Sequence, residues 1–243
     1  MEPKSNAYKL RTLAVTFDLP MNPWELPRFR GAIAGKVGLE HDWFHNHNNE
    51  TGGLHHRYPL IQYKVSPHDG GFRPMLLCLD QGIEEAHHFF SQPDWSVDLK
   101  QGSGATTAYH TVPLRIAHLH VDQTTLNVWE HDFAYRLHNW QALNADHYRE
   151  YRALEGIAER FAFLENILAS HILSFARGVG WTLARRFDVK ITKLLGEKFV
   201  EYKGVKVLGF SLEFKANVSL PEWIGLGKGG GVGFGVVRGP FKN

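Results

Sequence analysis

The sequence predicts an α+β protein made of two tandem sheet-and-helix units, with a glycine-rich segment near the end of the second. Three observations predict it. The first half reads strand–helix–strand–strand–helix–strand, the second half repeats a distorted version of that order, and seven glycines fall between Gly225 and Gly235. The first order is the split β-α-β pattern called ferredoxin-like. The boundary is expected near residue 122, giving units 1–122 and 123–243.

In the first unit, residues 11–18 (RTLAVTFD) form an opening strand that Pro20 and Pro23 end. Trp24 to Val37 suits a helix, with Leu26, Phe29, Ala32 and Ile33 on one side. His41 to Arg57 is polar, holds Gly52-Gly53 and three asparagines, and reads as a surface loop. Tyr58 to Val65 and Phe72 to Leu79 are strands joined through Pro67 and Asp69-Gly70-Gly71, a hairpin. Gly82 to Phe90 is a short helix, Pro93 and residues 101–107 make turns, and Tyr109 to Val121 supplies one or two strands.

The second unit opens with strand material from Thr125 to Tyr135. A helix from Asn144 to about Ala176 follows, with Leu154, Ile157, Ala158, Phe161, Leu164 and Leu168 at helical spacing. Asp146 is the expected cap, and Gly178 and Gly180 end the helix. Residues 183–192 and Val205 to Val218 are strands, the latter alternating Phe210, Leu212 and Phe214. Pro221 to Ile224 allows a short turn, and Phe234 to Val237 a closing strand.

Composition limits the function classes. At 43% hydrophobic and 21% charged, the 243-residue chain can bury a sizeable core. Residues 1–120 carry 11 Lys/Arg against 12 Asp/Glu, whereas residues 181–243 carry 11 against 5. The basic surplus at the end of the chain points there for a polyanion. A single cysteine, Cys78, in the apolar run Met75 to Leu79, excludes an intrachain disulfide and a thiolate metal cluster. It reads as a buried thiol. No apolar run is long enough to span a bilayer and no secretory signal is visible, so no membrane association and a cytoplasmic location are expected.

The glycine-rich segment is Gly225-Leu226-Gly227-Lys228-Gly229-Gly230-Gly231-Val232-Gly233-Phe234-Gly235. Glycines lower the barrier to close backbone approach and let N–H groups converge on an anion, and Lys228 adds charge. Gly225, Gly227, Gly229, Gly230, Gly231, Gly233 and Gly235 are therefore candidate RNA-binding positions. Lys215, Lys206 and Arg238 could extend a phosphate track. A Walker loop is excluded because no Ser/Thr follows Lys228, and a dinucleotide fingerprint because the segment does not open a helix in a βαβ unit. A tight structural turn is the plainer alternative.

Fifteen histidines are many for this length, and spacing must sort them. His45-Asn46-His47 stands in the polar loop after the first helix, where two imidazoles can reach one site. Histidine titrates near neutrality, so one could take a proton from a ribose 2′-hydroxyl and the other protonate the departing 5′-oxygen. Tyr58 and Lys64 read as strand residues. His55-His56 are adjacent and face apart. His118 and His120 share one strand face, which is either a metal site or solvated. His131-Asp132 and His138 sit among aromatics. An HNH-type metal nuclease lacks its acidic partner here.

Four segments carry a family resemblance: Tyr58-Pro59-Leu60-Ile61-Gln62-Tyr63-Lys64, Tyr135-Arg136-Leu137-His138-Asn139-Trp140, Asn166-Ile167-Leu168, and Asn217-Val218-Ser219-Leu220-Pro221 with the glycine segment. Over residues 9 to 240 the chain resembles the CRISPR repeat-cleaving endoribonucleases of the repeat-associated RNA-binding superfamily. The similarity is to the bacterial branch with paired N- and C-terminal domains. The resemblance implies two tandem ferredoxin-like domains and metal-independent cleavage of precursor CRISPR RNA. The repeat's own 2′-hydroxyl would be the nucleophile, leaving 2′,3′-cyclic phosphate and 5′-hydroxyl ends, with no cofactor. It assigns catalysis to His45 and His47, with their acid and base roles open, and gives Asn46 or Lys64 a share in charge stabilisation. Gly229-Gly230-Gly231 departs from the commoner, more basic pattern and leaves Lys228 as the main charge. The partner implied is CRISPR repeat RNA. Association with a CRISPR effector complex, as a non-catalytic RNA-binding subunit in the alternative reading, and a homodimer are left open.

Overall fold

The computed structural model describes residues 7–38, 40–45, 57–101, 108–202 and 204–241. Contacts divide the chain into a unit of Leu10–Gln123 with Gly231–Gly233, and a unit of Thr124–Gly230 and Phe234–Asn243 with Met1–Lys9.

In the first of these units β1 (Tyr8–Phe17), α1 (Leu26–Val37), α2 (Asp42–His45), β2 (Ile61–His68), β3 (Gly71–Leu79) and α3 (Gln81–Phe90) follow one another. Then come β4 (Ser96–Gln101), β5 (Ala108–Pro113) and β6 (Ile116–Leu126). The main sheet has the order β2-β3-β1-β6, and β4 and β5 pair separately. Successive strand residues point to opposite faces. Accordingly Val15 and Phe17 of β1, Ile61 and Tyr63 of β2, and Leu76 and Cys78 of β3 meet Phe29 and Ile33 of α1 and Phe89 of α3 in one core. The alternate set, Thr12, Thr16, Gln62, Lys64, Met75 and Leu77, is buried as well. Cys78 is fully buried, and burial raises its thiol pKa.

The other unit places β7 (Val128–Trp140), α4 (Ala145–Ala153), α5 (Ile157–Gly178), β8 (Val189–Tyr202), β9 (Val205–Val218) and β10 (Val236–Phe241) in chain order. Its sheet order is β10-β7-β9-β8. Numbered within each unit, both sheets read 4-1-3-2, the ferredoxin-like order. One substitution of parts distinguishes them. Between β3 and β6 the first unit has α3, whereas between β9 and β10 the second has the glycine segment.

Several expected elements need correction. The helix expected over 144–176 is two helices, broken at Leu154, Glu155 and Gly156. Asn144, not Asp146, is the cap: its side chain accepts from the His147 N–H at 2.7 Å. Asp146 instead pairs with Arg149. The strand expected at 183–192 begins at Val189 and continues to Tyr202. β4 was not expected, and the closing strand begins at Val236 and runs to Phe241, later than the Phe234–Val237 expected.

The glycine segment is packed into the fold, with Lys228 alone exposed among its eleven residues. Leu226 is completely buried and Val232 enters the first unit's core. The chain doubles back on itself: the Leu226 N–H donates to the Gly235 carbonyl at 2.8 Å, and Phe234 N–H to Gly229 at 3.3 Å. A Cβ on Gly225 would lie 2.1 Å from the Gly230 carbonyl oxygen. At Gly235, with φ +57°, it would lie 1.9 Å from that of Leu226. Only glycine fits such approaches.

Beneath Gly227 lie His171 of α5 and Trp140 at the end of β7. The Trp140 indole N–H donates to His171 Nδ1 at 3.0 Å, which requires a neutral imidazole at that nitrogen. Burial lowers the His171 pKa from 6.5 to about 4, with His147 adding repulsion. The unfolded chain therefore binds a proton that the folded chain refuses between these values. The contribution is complete above pH 6.5 and is lost as pH falls through about 4. His171→Gln keeps an acceptor for the indole and cannot be protonated. Its thermal midpoint should fall less than the parent's between pH 6.5 and 4.5; equal falls would contradict this assignment.

Candidate functional site

His45 closes α2, a single helical turn in the stretch expected to be loop. A four-residue helix is too short to hold itself, so its position rests on what surrounds it. Phe44 is 1% exposed and packs in the core with Phe29 and Tyr63. The Tyr63 hydroxyl donates to the Phe44 carbonyl at 3.1 Å, and the Arg30 guanidinium of α1 donates to the His45 carbonyl. The Arg57 guanidinium stacks 3.8 Å over the Trp43 ring, a cation–π contact. The two last carbonyls of the turn are thereby satisfied by side chains from α1 and β2. His45 itself is 9% exposed. His47, Asn46, His55 and His56 lie outside the described residues.

The strand β2 sorts the neighbouring polar residues. Tyr63 faces the core that holds α2, so Lys64, the next residue, points to the other face. Lys64 is wholly buried there, and loss of hydration lowers its pKa to about 7. That places it away from the turn that carries His45, so the suggested share in stabilising charge beside His45 fails. Tyr58 is structural too: its hydroxyl oxygen accepts from the Gln62 side chain at 2.9 Å. Tyr63, quoted in the sequence only as part of the Tyr58–Lys64 segment and given no role there, is the supporting residue, and strand alternation with Ile61 was the signal for it.

Tyr63 also meets the glycine segment within the same unit. Its backbone N–H donates to the Gly231 carbonyl at 2.8 Å, and it forms a parallel bridge with Val232.

The cations expected along a phosphate track do not form one line. Lys215 on β9 lies opposite Ala134 of β7, and Arg238 on β10 opposite Arg136. Both belong to the face of that sheet turned away from Tyr135 and Leu137, which are buried. Arg238 is engaged, with Nε 2.7 Å from Glu222 and its guanidinium 3.8 Å over the Trp223 ring. Lys206 is nine residues from Lys215 on the same strand, a separation of about 30 Å at the rise of an extended chain. Lys228 is exposed, bridges to Gln141, and stands 5.7 Å over the Tyr202 ring at the end of β8. The amides of Leu226, Gly230, Phe234 and Gly235 donate to carbonyls of the protein. They are not available to converge on an anion.

His118 and His120 are exposed on β6, and among the described residues no third ligand group converges with them. His131 packs 4.8 Å from the Phe133 ring. Burial and the nearby Arg136 and Arg238 lower the pKa of His138. In the Asn217–Pro221 segment, Asn217 Oδ1 accepts from Asp188 N–H at 2.8 Å, and the Ser219 hydroxyl oxygen accepts from Asn127 N–H at 3.0 Å. The Leu220 N–H donates to the Tyr135 hydroxyl at 2.9 Å. No described helix is long and apolar enough to cross a membrane.

Comparison with known proteins agrees with this architecture. Residues 8–112 match the family model of the Cas6b N-terminal domain, and residues 127–239 that of the Cas6b C-terminal domain. A Cas6b crystal structure superposes with a TM-score of 0.75 at 25% identity, covering 95% of this chain and 99% of its own. A second, of the CRISPR RNA processing endoribonuclease Cas6b, gives 0.67 at 23% identity over 95% and 98%. An uncharacterized protein of Methanocaldococcus jannaschii is 37% identical over 99 residues, 40% of this chain and 65% of that protein's length. With both halves matched in order, the chain belongs to the Cas6b family of CRISPR RNA-processing endoribonucleases.

Proposed function

We propose that this chain cuts precursor CRISPR RNA inside the repeat by metal-independent transesterification, with His45 and His47 moving the protons. The observation that carries the reading is the anchoring of the His45 turn through both of its last carbonyls, by Tyr63 and Arg30. Such anchoring suits a group whose work is positional, since proton transfer demands hydrogen-bond reach to the reacting oxygen. One imidazole takes the proton of the ribose 2′-hydroxyl. The 2′-oxygen attacks the adjacent phosphorus, and the bond from phosphorus to the 5′-oxygen breaks. The other imidazole, protonated, gives its proton to that leaving oxygen. A 2′,3′-cyclic phosphate and a 5′-hydroxyl result.

Binding would fall to the glycine segment, Gly225 to Gly235, with Lys228, and to Lys215 and Arg238 on the sheet face. Because the segment's amides are largely used internally, its contribution is shape, which lets a nucleic-acid backbone approach closely. Lys228 supplies a single phosphate contact.

The test is cleavage of repeat RNA in EDTA by the parent, His45→Ala, His47→Ala and the double variant, with binding measured in parallel. Loss of one positioned acid or base should slow cutting by about 10²–10⁴-fold, while binding stays within a few-fold. Since His45 is nine-tenths buried, the single variants are separately informative. Full activity of His45→Ala beside an inert His47→Ala would assign the chemistry to His47 alone. A double variant that cuts like the parent would overturn the site, and a parent that binds without cutting would favour the RNA-binding-subunit reading.

Lys228→Ala should weaken RNA binding modestly at every sequence and reduce the slope of affinity against salt by about one phosphate contact. An unchanged slope would remove Lys228 from the interface.

A further inference from the structure

One cluster of ligand-bearing side chains stands apart from the proposed chemistry. His41 precedes α2, and Glu85 and His88 lie on α3. Three residues apart on a helix, Glu85 and His88 share one face about a turn from each other. Facing them, His41 Nδ1 is 3.8 Å from Glu85 Oε2. The His41 and His88 rings are 4.0 Å apart between centroids, tilted by 33°. One donor atom from each of the three lies within 4.8 Å of the other two.

We propose that His41, Glu85 and His88 form a binding site for a divalent cation of the zinc class. Two imidazoles and one carboxylate are the ligand set that borderline metals take, with a fourth position left for water. Bonds of about 2.0–2.2 Å to a shared ion require the donors to draw together by about an ångström. His41 and Glu85 are half-buried and His88 exposed, so side-chain torsions allow that closure without moving the helices.

The site has a consequence for α2. The His41 carbonyl accepts the Phe44 N–H at 3.1 Å, so His41 is the first residue of the turn that ends at His45. A metal bound there ties this turn to α3. It adds a third anchor to those from Tyr63 and Arg30, on the opposite end of the turn. The role is structural and takes no part in the phosphodiester step.

The experiment uses the full chain, stripped with chelator and dialysed, titrated with Co²⁺ as a coloured probe and then with Zn²⁺ as competitor. The parent should take up one equivalent of Co²⁺ with the visible absorption of a four- or five-coordinate ion, and Zn²⁺ should displace it. Zn²⁺ should also raise the thermal midpoint of the parent, as any ligand selective for the folded state does. His88→Ala and the conservative Glu85→Gln should each weaken uptake by at least about tenfold, a loss seen even for residues one step removed from a metal. Both should abolish the thermal shift. His118→Ala with His120→Ala serves as the control for uptake elsewhere on a histidine-rich chain and should change neither readout. Stoichiometric uptake that survives in both Glu85→Gln and His88→Ala would overturn the site. So would a parent that binds no Co²⁺ or Zn²⁺ at one equivalent.

Discussion

Tyr63 holds together the parts on which the candidate site depends. Its backbone N–H bonds the Gly231 carbonyl and its hydroxyl bonds the Phe44 carbonyl. The ring between them is 1% exposed and meets Phe29 edge-on at 6.3 Å. A buried phenol must find an acceptor or leave a polar group unpaired, at a cost of about 1–3 kcal/mol. Here the acceptor is the carbonyl just before His45, so satisfying the tyrosine also fixes the turn. The same residue joins Gly231 to β2, so the middle of the glycine segment and the histidine turn share one support. Burial raises the phenol's pKa, which keeps it a donor.

The glycine segment is better described as a compact replacement for a helix than as an open cradle. In the first unit, α3 covers the sheet between its third and fourth strands. In the second, the corresponding connection, residues 219–235, carries the eleven-residue glycine segment, which buries Leu226, places Val232 in the first unit's core and uses its own carbonyls as acceptors. The glycines make that density attainable, because side chains at Gly225 or Gly235 would collide with backbone. Trp140 and the neutral His171 form part of its floor. Of its residues only Lys228 is exposed, so the segment's charge rests there.

Much of this architecture was legible in the sequence, for physical reasons that can be named. Alternation in Val205–Val218 marked β9 because one face is buried and the other is not. Gly70-Gly71 marked the β2–β3 hairpin. The single long helix was misread because Leu154, Ile157 and Ala158 continue the apolar spacing across the break; yet Ile157 is 73% exposed, and Gly156 caps the second helix. From Lys193 onward β8 is mostly exposed, so residues 193–202 gave no alternating apolar pattern to read. Within the candidate site, the His45 position was visible as a motif. Its anchors were not, since Arg30 and Tyr63 lie 15 and 19 residues away from the carbonyls that they bond. The His41, Glu85 and His88 cluster was hidden for the same reason.

The proposed attack by the RNA's own 2′-hydroxyl at the histidine turn would leave a chemical signature in the products. Mass analysis of both fragments from a repeat RNA, cut in EDTA, reads it directly. Expected are a 2′,3′-cyclic phosphate on the upstream fragment and a 5′-hydroxyl on the downstream one, with no product when the ribose at the cut is 2′-deoxy. A 3′-hydroxyl with a 5′-phosphate, or cutting that persists in the 2′-deoxy RNA, would contradict the proposal, because water would then be the nucleophile.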